Sequence, residues 1–360
     1  MDESREMPSR SQLDFILGSA ILAPSADNRH FLRFEILCNG LSVYYTGEAL
    51  PAPGGYRRAL VLLSFGAVAE NLMIAASRFG IRTEVRGPCD PAYPGLIFQV
   101  FWYPRAIEPD ALWEEIPRRH TNRRVWYRGP RLSHDDLAML RLAVQAYPGC
   151  DLEWLEAPER KSQVIGLMRQ AEGTRYRIRT LHEELFSSIR FEVGWKQSCA
   201  EGLPPGALGI EWPLRQAFSW LRHWSVMQSF NALGGGWLME WRTAALPGWL
   251  APHLAVISVA QTEDDKLFDA GRAFQRNWLI LTRLGFVLQP FPAAALFALP
   301  GATLEGVPSV LQEALRSTWK KLFSRHPVMI FRVGRAPISP VVTGRKELEN
   351  YLVGAAERPS

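Results

Sequence analysis

The sequence lacks the cysteine and histidine spacings that build metal sites and disulfide frameworks. Its 360 residues contain four cysteines, at positions 38, 89, 150 and 199, and no two of them form a Cys-x-x-Cys pair. It has no His-Glu-x-x-His motif, and no Gly-x-Gly-x-x-Gly follows a strand-like run. A metal site, a disulfide scaffold and a Rossmann dinucleotide domain are therefore not indicated, and the cysteine usage suits a reducing cytoplasm.

Signals for secretion and for spanning a membrane are also missing. Residues 1–12 are polar and acidic, whereas a signal peptide needs a basic start and an apolar run. The longest uncharged stretches, residues 243–262 and 284–304, are interrupted by prolines. We therefore expect a cytoplasmic protein with no membrane partner.

The composition is that of a globular chain with a local basic stretch. Hydrophobic residues make up 47% of the sequence and charged residues 21%, so one large core or two modest ones can be buried. The net charge is +5, and six arginines lie at positions 118, 119, 123, 124, 128 and 131. This run suits a phosphorylated ligand at least as well as nucleic acid, and a solvated basic face is equally open. Nucleic-acid binding would need interleaved aromatic residues, for which Trp126-Tyr127 is thin support, so no nucleic-acid partner is expected.

Two pairs of segments indicate an internal repeat. Residues 66–80 and 271–285 align without a gap at an offset of 205 (271 − 66), and each is an apolar helical pattern ending in a glycine suited to a left-handed cap. Residues 97–100 and 330–333 are both strand-like, at an offset of 233 (330 − 97). The extra 28 residues (233 − 205) hold a predicted amphipathic helix over 307–323. Chance similarity is the alternative, but a duplication accounts for the order of both echoes.

The remaining pattern is mixed. It predicts helices over residues 11–22, 134–146 and 158–190, a hairpin over 33–46 turning at Asn39-Gly40, and a strand over 151–156. Ser133 and Asp136 predict a capping box at the second helix. Residues 191–250 belong to neither repeat and hold seven of the thirteen tryptophans, at 195, 212, 220, 224, 237, 241 and 249. With Pro204-Pro205 and three glycines at 234–236 that suit a hinge, this insertion reads as a long loop that could act as a lid. A single tryptophan is more often a core residue, but seven in one segment suit one ring over a bound ligand.

Two short motifs carry the chemistry. In Arg119-His120-Thr121-Asn122-Arg123, two guanidiniums flank an imidazole and a hydroxyl, a set of donors suited to a dianion. In Ala23-Pro24-Ser25-Ala26-Asp27-Asn28, the residue types favour a turn that exposes donors to a ligand, and Asn28 both donates and accepts. A basic surface run and an ordinary turn are the plain alternatives.

These motifs resemble the FMN-dependent nitroreductase superfamily, in particular its single-chain, internally duplicated flavoproteins of the Acg type. The superfamily's phosphate motif, Arg-x-Ser-x-Arg or Lys, is matched by residues 119–123 with Thr121 for serine. Its Pro-Ser-x-x-Asn-x-Gln-Pro-Trp signature is matched at Pro24, Ser25 and Asn28 and departs at residues 30–32. The resemblance implies an α+β fold, a nitroreductase-like αβα sandwich built as an internally duplicated pseudo-dimer in one chain. The first half would span residues 1–115, and the second 116–360 with a Trp-rich lid insertion at about 191–250.

The same resemblance implies one composite FMN site. The first half has the Pro-Ser loop without the two arginines, and the second has the arginines but carries residues 145–150 where that loop would stand, leaving a second site without function. Arg345 would also reach the phosphate, and the loop at Gln289, Pro290 and Phe291 would present backbone donors to the flavin edge. Pro290 has no N–H, so Gln289 or Phe291 would have to donate.

The implied activity is that of an FMN-dependent oxidoreductase. FMN would transfer hydride or electrons between a small-molecule donor, with NAD(P)H as the candidate, and a small-molecule acceptor. No catalytic side chain is assigned. A protein that stores or sequesters FMN under the lid and a tailoring dehydrogenase or oxidase of a biosynthetic pathway are the alternatives. A monomeric pseudo-dimer or a weak homodimer is expected.

Overall fold

The computed structural model describes residues 8–88, 95–103 and 106–353. Cys89 and the first seven residues of the acidic N-terminal stretch lie outside these ranges. The helices are α1 (Arg10–Ala20), α2 (Tyr56–Ser77), α3 (His134–Gln145), α4 (Pro158–Arg177), α5 (Arg179–Ser187), α6 (Arg215–Trp220), α7 (Trp224–Ala232), α8 (Gly235–Glu240), α9 (Leu246–Leu250), α10 (Asp264–Arg283), α11 (Ala293–Leu296) and α12 (Ser309–Leu322). The strands are β1 (Leu32–Leu37), β2 (Gly40–Tyr45), β3 (Arg82–Arg86), β4 (Leu96–Tyr103), β5 (Cys150–Trp154), β6 (His253–Val259), β7 (Val287–Pro290) and β8 (His326–Gly334).

The strands form two antiparallel sheets with one topology. The first has the order β1-β2-β4-β3 and the second the order β5-β6-β8-β7, so adding four to each strand number converts one into the other. The first sheet contacts the central helices where Phe98 packs on Phe65 and Phe268, and the second where Phe331 packs on Phe274. The fold is therefore α+β, as predicted, with two topologically equivalent halves.

Helices α2 and α10 cross at equivalent glycines. A Cβ added to Gly66 would lie 2.1 Å from the carbonyl oxygen of Phe268, and one added to Gly271 would lie 2.2 Å from that of Leu63. Leu63 and Phe268 differ by 205 (268 − 63), the offset that relates the two glycines. The contact is thus made twice with the roles exchanged, which is how the two subunits of a twofold dimer meet.

A polar contact in this interface repeats in the same way. Gln275 Nε2 donates to Asn71 Oδ1 at 2.7 Å, and Arg276 Nε donates to Glu70 Oε1 at 2.7 Å. Positions 70 and 71 become 275 and 276 at the offset of 205. The helix pair therefore holds the two halves in a pseudo-twofold arrangement.

Most predicted elements lie close to their expected bounds. The capping box at Ser133 and Asp136 is present, and the helix predicted over 307–323 is α12. The hairpin turns at Cys38-Asn39, one residue before the predicted Asn39-Gly40, because Leu37 pairs with Gly40, the first residue of β2. The helix predicted over 158–190 is wrong as a single element, because Ile178 has extended backbone angles and separates α4 from α5.

The insertion is largely helical from Arg215 onward, so its prediction as a long loop is also wrong over that part, whereas the helices of residues 191–214 are only short 3-10 turns. Residues 235–250 run through α8, a π-helical turn at Trp241–Ala245 and α9. Gly234, at φ 84°, begins this stretch, while Gly235 and Gly236 are buried within α8. The three glycines permit a close helix start because Cβ atoms at 235 and 236 would meet Phe230 and Asn231.

Among the described residues, α2 is the one helix long and apolar enough to cross a membrane. Within its most apolar window, 78% is buried inside the protein. Arg57, Arg58 and Glu70 interrupt it, so a search for uncharged stretches misses it. Its apolar surface is that of a core helix.

The segment after β8 returns to the first half. Val353 N–H donates to the carbonyl of Phe34 at 2.9 Å, and Leu352 forms a parallel bridge with Phe34. Arg345 lies on this segment. The chain end therefore carries a second-half arginine to the end of α1 and to the turn that follows it.

Candidate functional site

The turn after α1 has an unusual backbone. Asp27 and Asn28 have φ values of 52° and 56°, in the left-handed region that few residues other than glycine adopt. Aspartate and asparagine tolerate this region best, so their side-chain types explain the local shape. Asn28 is buried, and Gly202 N–H donates to its carbonyl at 3.1 Å.

The arginine motif lies along an edge strand of the second sheet. Thr121 forms a parallel bridge with Leu288 of β7, and Asn122 N–H donates to the Leu288 carbonyl at 3.0 Å. The Asn122 side-chain Nδ2 donates to the Pro337 carbonyl at 2.9 Å, and the Asn122 backbone carbonyl accepts from the Tyr127 hydroxyl. These contacts hold residues 119–123 in an extended path past the turn.

The two motifs line one polar cavity of about 70 Å³. Arg345 is the third contributor. The predicted residues that line it are Pro24, Ser25, Asn28, Arg119, His120, Thr121, Arg123 and Arg345. The turn and the arginine motif are almost a hundred residues apart in the sequence, and Arg345 is more than three hundred residues from the turn. All three converge on one cavity, as the resemblance implies.

Arg119 is a buried cation without a carboxylate partner among the described residues. It is 5% exposed, and its Nη2 donates to the Leu22 carbonyl at 2.9 Å. Its guanidinium carbon lies 4.4 Å from the ring centre of Trp278, and its Nε is buried with no hydrogen-bond partner. Burial, together with repulsion from Arg345, lowers the pKa of Arg119 to about 9.

Arg345 is a second cation of the same kind. It donates to the carbonyls of Ile21 at 2.5 Å and Ala23 at 2.9 Å, and to Asn28 Oδ1 at 2.7 Å. Burial lowers its pKa to about 10. The buried guanidinium of Arg119 and the half-buried one of Arg345 bind only neutral carbonyl oxygens among the described residues. Together with Arg123 they outnumber Asp27, the one described carboxylate that lines this cavity, so the net positive charge favours an anion there.

Arg123 lies on the far side of the motif and lines both this cavity and the larger one described below. Its Nη1 donates to the Ala207 carbonyl at 3.5 Å. Its pKa is lowered, mainly by burial, although Asp27 acts in the opposite direction.

The histidines of the site are neutral donors. His30 Nε2 lies 3.2 Å from Ser25 Oγ and 3.1 Å from Asn28 Oδ1. Burial, then Arg345 and Arg119, lowers the pKa of His30 to about 2, and burial also lowers the pKa of His120. Because Asn28 Oδ1 also accepts from Arg345, it is the amide's oxygen, so His30 Nε2 carries the proton.

Asn28 has a structural role at the site, because its side-chain polar atoms form hydrogen bonds with other parts of the protein. Its Nδ2 donates to the Gly202 carbonyl at 3.0 Å, with Ala200 and Gly344 carbonyls at 3.5 Å. Its Oδ1 accepts from Arg345. The turn, the insertion and the C-terminal segment are therefore joined at one amide.

A larger cavity of about 300 Å³ adjoins the polar cavity. The residues that line both cavities are Pro24, Ser25, Asp27, Thr121, Arg123 and Leu203. Its apolar walls come from α2, α5, α10, α11 and the insertion, and they include Leu60, Leu63, Leu185, Phe218, Phe274, Trp278, Leu296 and Phe297. Its carboxylates include Glu172 and Glu184, which are engaged by Arg175 at 3.4 Å and by the Tyr56 hydroxyl at 2.8 Å. We call this larger cavity the inner chamber.

Gln289, Pro290 and Phe291 line the inner chamber as predicted, but their backbone donors are not free. Phe291 N–H donates to the Ile330 carbonyl at 2.7 Å. Bonded pairs alternate along an antiparallel ladder, so Gln289, two residues earlier and opposite Arg332, directs its own N–H to β8. The expectation of a backbone donor from Gln289 or Phe291 is therefore wrong, because Gln289 lies in β7 and Phe291, directly after it, continues the pairing with β8.

The Gln289 side chain supplies a donor instead. Its Oε1 accepts from Arg332 Nε at 2.9 Å, and since arginine only donates, the Nε2 amino group is left for the chamber. Arg332 is fully buried and also donates to the carbonyls of Val125 at 2.8 Å and Pro247 at 3.2 Å. Arg332 thus fixes the orientation of Gln289.

The insertion covers the chamber, but not with the predicted rings. Leu203, Leu208, Ile210, Phe218, Arg242, Thr243 and Pro247 line the chamber, and none of the seven tryptophans of the insertion does. Trp195 and Trp224 pack on a separate core around Phe218 and Met227. The expectation of a tryptophan of the insertion over the ligand is therefore not met, and the ring at that wall is Phe218.

No protein-family model matches the chain, and no curated protein sequence is similar to it. Solved structures similar to it include the FMN-dependent nitroreductase NfnB of Mycobacterium smegmatis in complex with NADPH, at 15% identity over 62% of this chain and 86% of that one, with a TM-score of 0.35. A nitroreductase with bound FMN from Bacteroides fragilis is 12% identical over 70% and 98% of the two chains, with a TM-score of 0.36. Oxidized iodotyrosine deiodinase bound to FMN and 3-iodo-L-tyrosine is 14% identical over 66% and 96%, also with a TM-score of 0.36.

Many of the chain's structural neighbours are thus FMN-dependent nitroreductase-superfamily proteins. Identities this low and TM-scores below 0.5 assign no site, so the chemistry must come from the residues of this chain.

Sequence reasoning missed His30, Arg332 and Trp278. His30 stands where the superfamily motif departs, so the motif itself gave no reason to choose it. Arg332 had a signal, since an arginine inside the apolar run of β8 must find buried acceptors. Trp278, on a repeat helix, had none beyond its size.

Proposed function

We propose that this chain is an FMN-binding oxidoreductase of the nitroreductase type, with one composite flavin site. The observation that carries the proposal is a pair of arginines without carboxylate partners among the described residues, the buried Arg119 and the half-buried Arg345, where the two motifs meet. A buried cation without a counterion is costly unless an anionic ligand completes it. The equivalent topology of the two halves supports the associated proposal of an internal duplication.

The residues fit FMN in charge and in shape. The unpartnered Nε of Arg119 and the hydroxyl of Thr121 are donors for a phosphate, and His120 lines the same cavity. The inner chamber is wide and largely apolar, which suits a fused aromatic ring, and Gln289 Nε2 offers that ring a hydrogen bond. Each end of the site thus matches one end of the molecule.

FMN supplies the redox chemistry when it is bound, by taking up and releasing two electrons as hydride or in single steps. The protein's part is binding and electrostatics. Arg119, Arg123 and Arg345 hold the dianion, and Leu185, Phe218 and Phe297 exclude water. Arg332, a buried cation behind Gln289, favours negative charge at the chamber's inner edge. No side chain is assigned as a proton donor or acceptor.

The stoichiometry of bound flavin tests the composite site. Protein loaded with excess FMN and freed of unbound flavin should retain one FMN per chain by absorbance. Two FMN per chain, or none, would contradict the proposal.

Paired arginine variants test the phosphate contact. In Arg119→Ala/Arg123→Ala, FMN affinity should fall at least about a hundredfold, because each charge-assisted contact contributes about 1.5–3 kcal/mol. Riboflavin, which lacks the phosphate, should lose less than about threefold. The exposed neighbours Arg118 and Arg124 give a control of equal charge change, and Arg118→Ala/Arg124→Ala should bind FMN normally. Equal loss of both ligands would show that these arginines do not bind phosphate.

Reduction kinetics separate an enzyme from a storage protein. The loaded protein is mixed anaerobically with NADH or NADPH, and the absorbance of oxidised flavin is followed before an acceptor is added. Bleaching and recovery within seconds support an oxidoreductase. A flavin that stays oxidised under its helical cover supports storage. A monomer in the cytoplasm that uses small-molecule donors and acceptors completes the proposal.

A further inference from the structure

The outer surface of the insertion is unusually apolar. Sixteen large hydrophobic residues are exposed among the described residues, and nine of them lie between positions 212 and 249. We use the term aromatic face for the eight of these nine that are connected as described below, namely Trp212, Leu214, Trp220, Leu233, Trp237, Leu238, Leu246 and Trp249. Leu233 is 89% exposed and Trp212 is 79% exposed, so no residue that the structure describes covers them. Exposed apolar surface on this scale marks a binding surface.

Four members of the aromatic face, Trp237, Leu238, Leu246 and Trp249, lie on one helical stretch. Leu238, Leu246 and Trp249 recur at spacings of eight and three residues along residues 235–250, and Arg242 lies midway between the first two. Arg242 donates to both carboxylate oxygens of Glu211, at 2.9 and 2.8 Å. This ion pair holds Trp212 beside the same stretch of helix. Trp220 follows on α6, and Leu233 directly precedes the helical stretch.

Among the described residues, the charges of residues 211–250 that lack an ion-pair partner are all positive, because Glu211 pairs with Arg242. Residues 212–250 contain a single acidic residue, Glu240, which is buried and paired with Arg169 and Arg177. Arg215 and Arg222 lie in the same segment, and neither has a carboxylate partner among the residues that the structure describes. Exposed tryptophan and leucine with arginine nearby and no free carboxylate is the composition of segments that lie in the interface of an anionic bilayer.

A second copy of the chain fits this surface less well. The pseudo-twofold contact between α2 and α10 is already internal, so the candidate site needs no partner subunit to be complete. An isologous dimer through the aromatic face would also place its arginines in the same interface. The face therefore favours a lipid surface.

We propose that the aromatic face docks this protein on the surface of an anionic lipid bilayer. Trp212, Trp220, Trp237 and Trp249 would enter the headgroup region, and Arg215 and Arg222 would contact lipid phosphates or carboxylates. The absence of a spanning run had led to the expectation of no membrane partner, and surface docking departs from that expectation. The insertion also lines the inner chamber, through Phe218, Arg242, Thr243 and Pro247, so the docked surface and the chamber share the same helices.

Vesicle co-sedimentation of the full chain tests this proposal. Vesicles of phosphatidylglycerol and phosphatidylcholine should bind the protein, and pure phosphatidylcholine vesicles should bind it at least about tenfold more weakly. In Trp212→Gln/Trp249→Gln, the partition coefficient should fall at least about tenfold, since each buried aromatic side chain contributes about one decade. The control Leu304→Gln/Val310→Gln removes equally exposed apolar side chains elsewhere and should change it less than twofold.

A measurement on the unaltered protein guards against misfolded variants. Brominated phosphatidylglycerol in the vesicles should quench its tryptophan fluorescence, because bromine in the upper acyl chains would lie near the four rings. In Arg215→Gln/Arg222→Gln, binding to anionic vesicles should weaken at least about fivefold with the tryptophans intact. Absence of binding to anionic vesicles, absence of quenching, or a dimer in light scattering that Trp212→Gln/Trp249→Gln abolishes would each overturn the proposal.

Discussion

Two places in this molecule are related by the offset of 205 residues, and they have opposite electrostatic character. One place is the candidate functional site, which we call the open side, where Ser64 of α2 and Trp278 of α10 line the inner chamber. The equivalent positions on the other side are Asp269 (269 − 205 = 64) and Met73 (278 − 205 = 73). There Arg272 contacts both, with Nη1 3.5 Å from Asp269 Oδ1 and Nη2 3.1 Å from Met73 Sδ.

The second place is an ion-pair cluster around Glu70. This carboxylate is 1% exposed, and it accepts from Arg272 Nε at 3.3 Å and Arg276 Nε at 2.7 Å. Tyr147, from the stretch that stands in place of the second Pro-Ser loop, bonds Arg276 Nε through its hydroxyl at 3.1 Å. Arg276 also pairs with Asp110 at 2.8 Å. Protein carboxylates thus neutralise the arginines of this side.

The difference in how the arginines of the two sides are neutralised indicates which side would bind an anionic ligand. Burial lowers the pKa of Arg119 on the open side, whereas the pKa of Arg276 is raised, because Glu70 and Tyr147 outweigh the lowering effect of burial. The same scaffold therefore holds one set of arginines that is complete within the protein and another that an external anion would complete.

The largest effect is expected from removing the carboxylate of the ion-paired side. Glu70→Ala leaves Arg272 and Arg276 without their shared partner, and breaking a buried pair in this way costs about 3–5 kcal/mol of the free energy of unfolding. Arg119→Met on the open side, in phosphate-free buffer, should change that free energy by less than about 1 kcal/mol, because it removes a cation that has no counterion. Urea denaturation of both variants measures the contrast. Similar losses for the two would mean that both sides carry complete charge pairs.

The helix crossing that relates the two sides gives the next effect. Gly66→Ala and Gly271→Ala each place a Cβ about 2 Å from a backbone oxygen, so the helices must separate. We expect each to lower the free energy of unfolding by about 3 kcal/mol. Gly166→Ala in α4, where a Cβ would meet nothing within 4 Å, should raise it by about 0.5–1 kcal/mol. Unequal losses at 66 and 271 in urea denaturation would contradict the equivalence of the two contacts.

Local patterns predicted the repeat helices, the hairpin and the capping box at Ser133, because each depends on residues a few positions apart. The convergence of residues 119–123 with the turn at 24–28 came from the resemblance, since no local pattern relates such distant segments. Both motifs and Arg345 do line one cavity.

The errors share a physical cause, which is that tertiary contacts decide them. Three glycines read as a hinge, yet packing against Phe230 and Asn231 makes them the start of a helix. Pairing with β8 turned residues 289–291 from a loop with free amides into a strand edge. The location of the tryptophans depends on which face of the inserted helices packs on the core. These helices are short and include a π-helical turn, so the spacing of their apolar residues does not predict the buried face.

The acid sensitivity of the open side is a third point of contrast. His30 has a pKa of about 2 when folded and about 6.5 when unfolded. Below pH 6.5 the unfolded chain therefore binds more protons than the folded protein, and the free energy of unfolding decreases as the pH is lowered. Between pH 6 and pH 5, this residue should account for about 1.4 kcal/mol of lost stability per pH unit. His30→Gln should reduce the slope of unfolding free energy against pH by that amount, and the exposed His326→Gln should leave it unchanged. A slope unaffected by His30→Gln would show that this histidine is protonated in the folded protein.

The smallest effect distinguishes the two ends of the open site. Gln289→Glu keeps an oxygen for Arg332 Nε but replaces the amino group that faces the inner chamber, so one donor to the ring is lost. The variant also adds a negative charge, which the buried Arg332 would pair. A single neutral hydrogen bond contributes about 1 kcal/mol, so affinity should fall about fivefold. The loss should be equal for FMN and riboflavin in fluorescence titrations, since both carry the ring, whereas loss of the arginines at positions 119 and 123 should affect FMN alone. If Gln289→Glu weakened FMN but not riboflavin, residue 289 would act at the phosphate end, and the proposed orientation of the flavin would have to be reversed.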